Sequence, residues 1–486
     1  MAGIGIKLNK IFERNTIASN LAGFAYSTMS TVTPMFVVIL NVVLMEYFLD
    51  FGSLGLVERE LFSCTVLYTF IFALLTASPF NSVLSKYMSD VIYEERYEDI
   101  RPCYYMGLFM NVALSSLIGI PFCLWEHFVG KVDVFYTFTG YCCYISLVLV
   151  FYSMIYLSIA KKYQKLSFFF TIGMVWSFVF ALFLRHIMLW GIRESMLFSL
   201  MTGFFLIAFL EMAVIKRYFM KNSNRYKSVL RYFGRYWQLI IANFLYILGL
   251  YVHNFVFWNT DMKLVVAKTF VCNQPYDMAT CLAMFTNISA TVIFITRVEM
   301  HFHDKYKKYS EAVIGGRGAD IDSAKKEMFR QLANELMNLA RIQFIITVVV
   351  YLIAVVLLPS FGISNLTMRI YPCLTVGYFI VFIMYAEIIF LYYFNDLGGV
   401  LLTSLVFCLV TFLGSIFATD LSELWYGAGL VMGAFAGWTV AYFRLRRMER
   451  QLDVHIFCKG SLLKPGMGTK PPAKVYDRNA ETAEQR

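Results

Sequence analysis

The sequence predicts an all-α polytopic membrane protein, with about twelve transmembrane helices in two six-helix lobes. Three observations carry that prediction: an apolar composition, twelve segments of bilayer-spanning length, and a one-sided distribution of basic residues. Of the 486 residues, 59% are hydrophobic and 15% charged, where soluble domains average roughly 45–50% and about 25%. Aromatics reach 18% and mean hydropathy is +0.63, so apolar surface must face lipid as well as a core.

A helix needs about 20 mainly apolar residues to cross a bilayer. Such stretches run at 22–48, 61–84, 104–124, 134–159, 166–188, 195–215, 236–257, 278–296, 342–358, 366–393, 398–417 and 421–443. The first is too long for the apolar core of a signal peptide, and no small-residue cleavage site follows it, so it is read as a span. With the N-terminus placed inside, 35 of the 42 Lys and Arg fall on the inner side, and only Arg59, Lys131, Arg193, Lys263 and Lys268 fall outside. That asymmetry predicts the cytoplasmic (inner) membrane, with both termini in the cytoplasm. Trp125, Trp190, Trp258 and Trp425 at outer ends and Trp237 at an inner end fit an interfacial belt. The net charge of +10 would point to nucleic acid in a soluble chain. Here the inner loops account for it, and no nucleic-acid partner is expected.

Six spans precede the basic loop Lys216–Arg235 and six follow it. The expected units are therefore an N-terminal lobe at 1–215, the inter-lobe loop at 216–235, a C-terminal lobe at 236–443, and a tail at 444–486. An even number of spans gives both lobes the same orientation, so any pseudo-symmetry axis runs along the membrane normal, although no residue-level repeat is visible. The long inner connection 297–341 belongs to the second lobe. From Asp322 onward its Met328, Phe329, Leu332, Leu336 and Leu339 recur at helical intervals between charged residues, predicting an amphipathic helix along the inner interface. The tail, with Pro465, Pro471 and Pro472, is expected to be disordered.

Several chemistries are missing from the sequence. There is no GxxxxGK[ST] phosphate loop, no CxxC or zinc spacing among the ten cysteines, and no nucleophile–base–acid arrangement. No metal, cofactor or catalytic residue is expected, and the chain is not read as an enzyme. Asp320 and Asp322 are explained by helix capping at Asp322. The cysteines read as small buried hydrophobes, and the pair open to a disulfide on the outer side is Cys272 with Cys281.

Ionisable groups within spans are the informative ones, because a charge there costs several kcal/mol (~3 or more) unless it meets water or a partner. Arg185 with His186 in the fifth span, and Arg369 and Glu387 in the tenth, are candidate cavity residues. An Arg185–Glu387 ion pair between the lobes is the competing reading, and proton coupling through Glu387 is a further expectation. Glu46 and Glu211, near span ends, are expected to snorkel to the interface. Asn243 and Asn287, with Asn41, Asn111 and Asn254, offer uncharged hydrogen-bonding groups that suit a path for a hydroxyl-rich substrate, or that bond between helices.

Two stretches carry a family resemblance. The opening Met1-Ala2-Gly3-Ile4-Gly5, with Leu8 and Lys10, and the segment from Tyr276-Asp277 through Met284-Phe285-Thr286 to Arg297-Val298-Glu299, Phe302 and Tyr306, resemble the PelG family, the inner-membrane transporter subunits of Pel exopolysaccharide systems. Ile6, Asn9, Met300, His301 and His303 depart from that pattern. The resemblance implies an exporter- or flippase-like fold of the multidrug/oligosaccharidyl-lipid/polysaccharide class, with the two six-helix lobes around a central cavity. It implies export of an N-acetylgalactosamine-rich polysaccharide into a biofilm matrix, and PelD-like and PelE-like membrane partners beside a cytoplasmic PelF-like glycosyltransferase. A lipid-linked oligosaccharide flippase and a cation-coupled drug exporter are the alternatives.

Overall fold

The computed structural model describes residues 17–159, 163–220, 222–293, 299–361 and 363–454. Among these are fourteen α-helices and one short hairpin. The first six helices are α1 (Ile17–Phe48), α2 (Leu56–Tyr93), α3 (Ile100–Phe128), α4 (Val134–Ile159), α5 (Tyr163–His186) and α6 (Ile192–Tyr218). A connecting helix α7 (Tyr226–Arg235) leads into α8 (Trp237–Phe257). The strands β1 (Leu264–Val266) and β2 (Phe270–Cys272) come next, then α9 (Gln274–Ile293), α10 (Glu299–Gly315) and α11 (Gly318–Leu357). The chain closes with α12 (Asn365–Tyr393), α13 (Leu397–Ala418) and α14 (Ala428–Val454). Each predicted span overlaps one of these helices within the described residues. Ten of them, within the described residues alone, are long and apolar enough to cross a bilayer, so this is a multi-pass membrane protein.

The duplication that no residue pattern reveals is present in the packing. In the first half α1 packs on α5, α2 on α3 and α4, α3 on α4, and α6 on α4 and α5. In the second half α8 packs on α13, α9 on α11 and α12, α11 on α12, and α14 on α12 and α13. The second pattern is the first with each span replaced by its counterpart six spans later. The lobes join through α2 on α8 and α1 on α9, a pair of contacts that the same replacement exchanges. This is the arrangement expected of two parallel repeats. Each lobe has its own apolar core, and a small shared cluster of Ile71, Leu75, Tyr251 and Trp258 sits where they meet.

Polar groups within the spans mostly serve as helix-to-helix links. Asn41 on α1 donates to Ser177 Oγ on α5 (3.3 Å). Pro79 lacks the N–H that would bond Leu75 C=O, and Ser78 Oγ donates to that carbonyl instead (3.1 Å). At the same bend, Asn243 of the second lobe donates to Ser78 O.

The face of the molecule that carries α7 and the α10–α11 turn holds most of the basic residues and is called the basic face below. The opposite face is the hairpin face. On the basic face, the segment read from sequence as a basic loop contains α7. It is docked by the buried Asp99, which pairs with Arg96 (2.7 Å) and Arg225 (3.5 Å) and accepts from Ser223.

The amphipathic stretch after Asp322 is a different structure from the one expected. It is the first half of α11, a single 40-residue helix continuous with the ninth span, so it does not lie along the interface as a separate helix. The cap is also shifted: Asp320, not Asp322, accepts from Arg317 N (3.0 Å). Its apolar stripe packs on α12, with Phe329 stacked on Phe394 at 5.3 Å, and Lys305 of α10 pairs with Glu327 of α11. Similarly, α14 runs past residue 443 to Val454, and Arg444 there forms a forked pair with Asp396 (2.6 and 3.0 Å). The rest of the predicted tail lies outside the described residues.

The family-motif aromatics hold α10 in place. Phe302 is fully buried and meets Phe390, Tyr393 and Phe394 edge-on at 4.9, 5.4 and 6.0 Å, while Tyr306 flanks it at 6.1 Å. Truncating a buried Phe costs about 3–5 kcal/mol, so Phe302→Ala should free α10 and raise its amide exchange roughly a hundredfold or more. Unchanged protection of 302–315 would show that Phe302 does not anchor the helix.

Candidate substrate-binding site

The structure scatters the residues singled out from sequence. Arg185 donates to Trp190 O (3.0 Å) and so closes the turn after α5, and His186 beside it is exposed. Arg369 is exposed and pairs with Glu423 at 3.1 Å on the rim of the hairpin face. Neither lines the cavity described below, and the competing reading, an Arg185–Glu387 pair, does not form: each has other partners. Glu387 is buried in the second lobe, where Trp438 Nε1 donates to its Oε1 (3.0 Å) and Oε2 has no hydrogen-bond partner. Asn243 bonds across the lobes as described. The side chains of Asn287 and Glu299, together with Gly3, Gly5 and Arg297, lie outside the described residues.

Glu211 departs from expectation most sharply. It does not snorkel: its side chain is fully buried in α6, and neither carboxylate oxygen has a hydrogen-bond partner. The position one turn from an inner end was a poor guide, because α6 packs on α4 and α5 and Glu211 falls on its buried face, one turn from Ile207 and Ile215.

Asp277 is the motif residue with a legible role. It accepts from Asn254 Nδ2 (2.7 Å), Trp258 Nε1 (2.9 and 3.0 Å) and the backbone N–H of Asn273 (3.0 Å). These bonds tie the end of α8 to the start of α9 at the base of the β-hairpin. Trp258 is therefore buried and bonded, and does not belong to an interfacial belt.

The hairpin itself went unforeseen. β1 and β2 pair antiparallel with Leu264 opposite Cys272 and Val266 opposite Phe270. Their turn uses positive φ at Ala267 (49°) and Lys268 (58°), a primed turn without the Asn or Gly that normally announces one. Val266, Phe270 and Cys272 are buried in the core of the opposite lobe. The hydroxyl of Tyr68 on α2 donates to Val271 O (2.8 Å) and accepts from Val271 N (3.0 Å). Its ring stacks on Trp258 at 5.1 Å with the planes 8° apart. The hairpin of one lobe is thus latched onto the second helix of the other.

Beneath the latch lies a small cavity of about 90 Å³, below the roughly 300–1,000 Å³ of sites that enclose a whole drug-sized ligand. Three helices each turn one face toward it: Thr65, Tyr68, Thr69 and Phe72 from α2, Gly119, Phe122 and Glu126 from α3, and Tyr141 and Tyr144 from α4, with Phe270 of β2 as a lid. The spacings i, i+3, i+4 and i+7 place the residues of each set on one side of their helix. Gly119 allows α3 to approach, since a Cβ there would lie 3.0 Å from the Tyr144 ring and 3.2 Å from that of Tyr141. Glu126 is buried and its Oε1 has no hydrogen-bond partner. A hydroxyl chain leads inward, with Tyr144 Oη and Ser115 Oγ both donating to Thr76 Oγ1 (3.0 and 3.1 Å).

This site offers flat aromatic faces, several hydroxyls and one unpaired carboxylate oxygen. Such a set can hold a ring with apolar CH faces and donor hydroxyls. No group of three or more potential metal ligands occurs among the described residues. Glu126 was missed in the sequence because a carboxylate beside an outer-end Trp usually reaches the interface. Only the fold turns it inward.

Comparison with known proteins follows the same lines. The family profile of PelG, described as "Putative exopolysaccharide Exporter (EPS-E)", matches residues 1–457. No curated protein matches the chain significantly. Among solved structures, an outward-facing multidrug resistance MATE transporter of the MOP superfamily aligns with TM-score 0.62 and 11% identity, over 89% of this chain and 96% of that one. A MOP superfamily transporter from Pyrococcus furiosus gives 0.60 and 11%, over 88% and 96%. A Vibrio cholerae MATE transporter, VcmN, in mutant form gives 0.59 and 12%, over 87% and 96%. At these identities the likeness establishes the fold, that of the MATE-type MOP transporters.

Proposed function

We propose that this chain, which belongs to the PelG family of exopolysaccharide exporters, moves an N-acetylgalactosamine-rich, Pel-like polymer across the cytoplasmic membrane toward a biofilm matrix. The basic face is the cytoplasmic one on this reading, and both termini lie there. The observation that carries the proposal is the cavity under the latch, where Tyr68, Phe72 and Phe122 supply ring faces and Glu126 supplies an unpaired acceptor oxygen. That lining suits a saccharide unit better than a purely apolar drug. The chain performs no covalent chemistry of its own. Polymer reaches it from a PelF-like glycosyltransferase, and PelD-like and PelE-like membrane proteins assemble with it, the α10–α11 hairpin being the element that projects on the synthase side.

The test is extracellular polymer bearing N-acetylgalactosamine, measured by lectin binding, in a clean deletion and in the same strain carrying the intact chain. Loss in the deletion and return on complementation are expected. Unchanged secreted polymer in the deletion, with a lipid-linked saccharide accumulating instead, would replace this reading with that of a flippase.

A further inference from the structure

All nine cysteines in the described residues are free thiols, but two of them face each other across the lobes. Sγ of Cys64 on α2 lies 3.1 Å from Sγ of Cys272 on β2, wider than a bonded pair at about 2.05 Å and closer than ordinary sulfur contact. The partner foreseen from sequence for Cys272 was Cys281, eight residues into α9, and the structure does not bring those two together. The Cys64–Cys272 approach is held independently of the sulfurs. Tyr68, one helical turn after Cys64, clasps both backbone groups of Val271, the residue before Cys272. Both cysteines are buried, at 2% and 3% exposure.

We propose that Cys64 and Cys272 are a redox pair whose oxidation to a disulfide bolts the two lobes together on the hairpin face. The oxidant is a disulfide of the extracytoplasmic compartment, either low-molecular-weight or protein-borne, so this step rests on the orientation proposed above. One cysteine, as thiolate, attacks that disulfide, forming a mixed disulfide and releasing one thiol. The second cysteine then gives up its proton and displaces the other thiol. The net change is two protein thiols oxidised by two electrons and one external disulfide reduced to two thiols. Because both sulfurs are covered when the lobes meet, the first exchange takes place with the hairpin face open and the second as it closes. The product cannot separate α2 from β2. A transporter that alternates by moving one lobe against the other is then held closed on this face until a dithiol reduces the bond.

The test uses the full chain in two settings, purified in lipid nanodiscs and in intact cells, each exposed to oxidised glutathione. Samples are unfolded, alkylated and digested without reduction, and the peptides are weighed. A peptide containing Cys64 joined to one containing Cys272 is expected in both settings. It should disappear with dithiothreitol and in both Cys64→Ser and Cys272→Ser, so that misfolding of one variant leaves the other to decide. Polymer export by oxidised wild-type cells should fall to background and return with dithiothreitol, while export by the serine variants ignores the oxidant. Fully alkylated Cys64 and Cys272 in the oxidised nanodisc sample would overturn the pairing. A linked peptide in nanodiscs but not in cells would leave the pairing standing and overturn the orientation. A linked peptide in cells with undiminished export would overturn the bolt.

Discussion

Export by a Glu126→Ala variant is expected to fall roughly fivefold or more, while the protein accumulates normally and unfolds at the same temperature as the parent or higher. The two halves of that expectation come from one observation: Glu126 is buried with Oε1 unpartnered. A buried polar oxygen without a partner costs the fold about 1–3 kcal/mol, so removing it relieves the protein. A saccharide hydroxyl in the cavity supplies the missing donor and recovers that cost of about 1–3 kcal/mol, which is roughly five- to a hundredfold in affinity. Structure and function therefore move in opposite directions, as they do where a site is kept at the expense of stability. Lectin-detected polymer and a thermal melt on the same preparation check it. Parent-level export would remove Glu126 from the substrate path, and a lower melting temperature would show that the carboxylate is structural. Tyr68→Phe is the companion. It keeps the ring stacked on Trp258 but breaks both bonds to Val271, so it separates the latch from the cavity wall.

What could be read in advance divides along physical lines. Span positions and lobe number were legible because the bilayer imposes a length and an apolarity that single residues cannot disguise. Pairwise packing was not: the matching neighbour pattern of the two lobes rests on shape, and shape left no residue-level repeat. Site residues fared worst for the same reason. Arg185, Arg369 and Glu387 were singled out as costly charges within spans, yet two of them sit on or near the rim, satisfied by Trp190 O and Glu423. Glu126 and Glu211 sat at span ends, where a snorkelling side chain is the ordinary outcome, and both are buried. Depth along a helix is written in the sequence, but the rotation that turns a side chain toward lipid, water or a neighbour is set by tertiary contacts. Asp277 was legible through its resemblance to a family pattern, and its role in fixing Asn254, Trp258 and Asn273 became visible only with the fold. The hairpin escaped because six strand residues around Ala267-Lys268 carry neither length nor turn chemistry enough to stand out.

Gly433→Leu is expected to cost about 3 kcal/mol or more and to remove most folded protein, because it wedges apart the two helices that close the second lobe. Gly429, Gly433 and Gly437 recur every four residues and form one stripe on α14 against α13. A Cβ on Gly433 would lie 2.7 Å from the backbone nitrogen of Thr411 and 2.8 Å from its Cα, and one on Gly429 would lie 2.6 Å from Ser415 Cα. The obstacles are backbone atoms, which cannot swing aside as a flexible side chain can. In lipid, where burying apolar surface gives helices little reason to associate, such close backbone approach is what holds them together. The hydroxyls of Thr411 and Ser415 have no conventional hydrogen-bond partner and lie against these glycines, an arrangement that weak Cα–H···O contacts favour. Gly437→Ala is the graded control. Its Cβ meets the Met384 side chain and lies 3.0 Å from Phe407 Cβ, so it should cost less than Gly433→Leu. Separation of α14 would also withdraw Trp438 from Glu387 and Arg444 from Asp396, so export should fall with the folded fraction. Thermal unfolding in detergent, with SDS titration as a second probe, reads the order parent, Gly437→Ala, Gly433→Leu. An unchanged midpoint for Gly433→Leu would mean that the two helices do not approach as closely as the stripe implies.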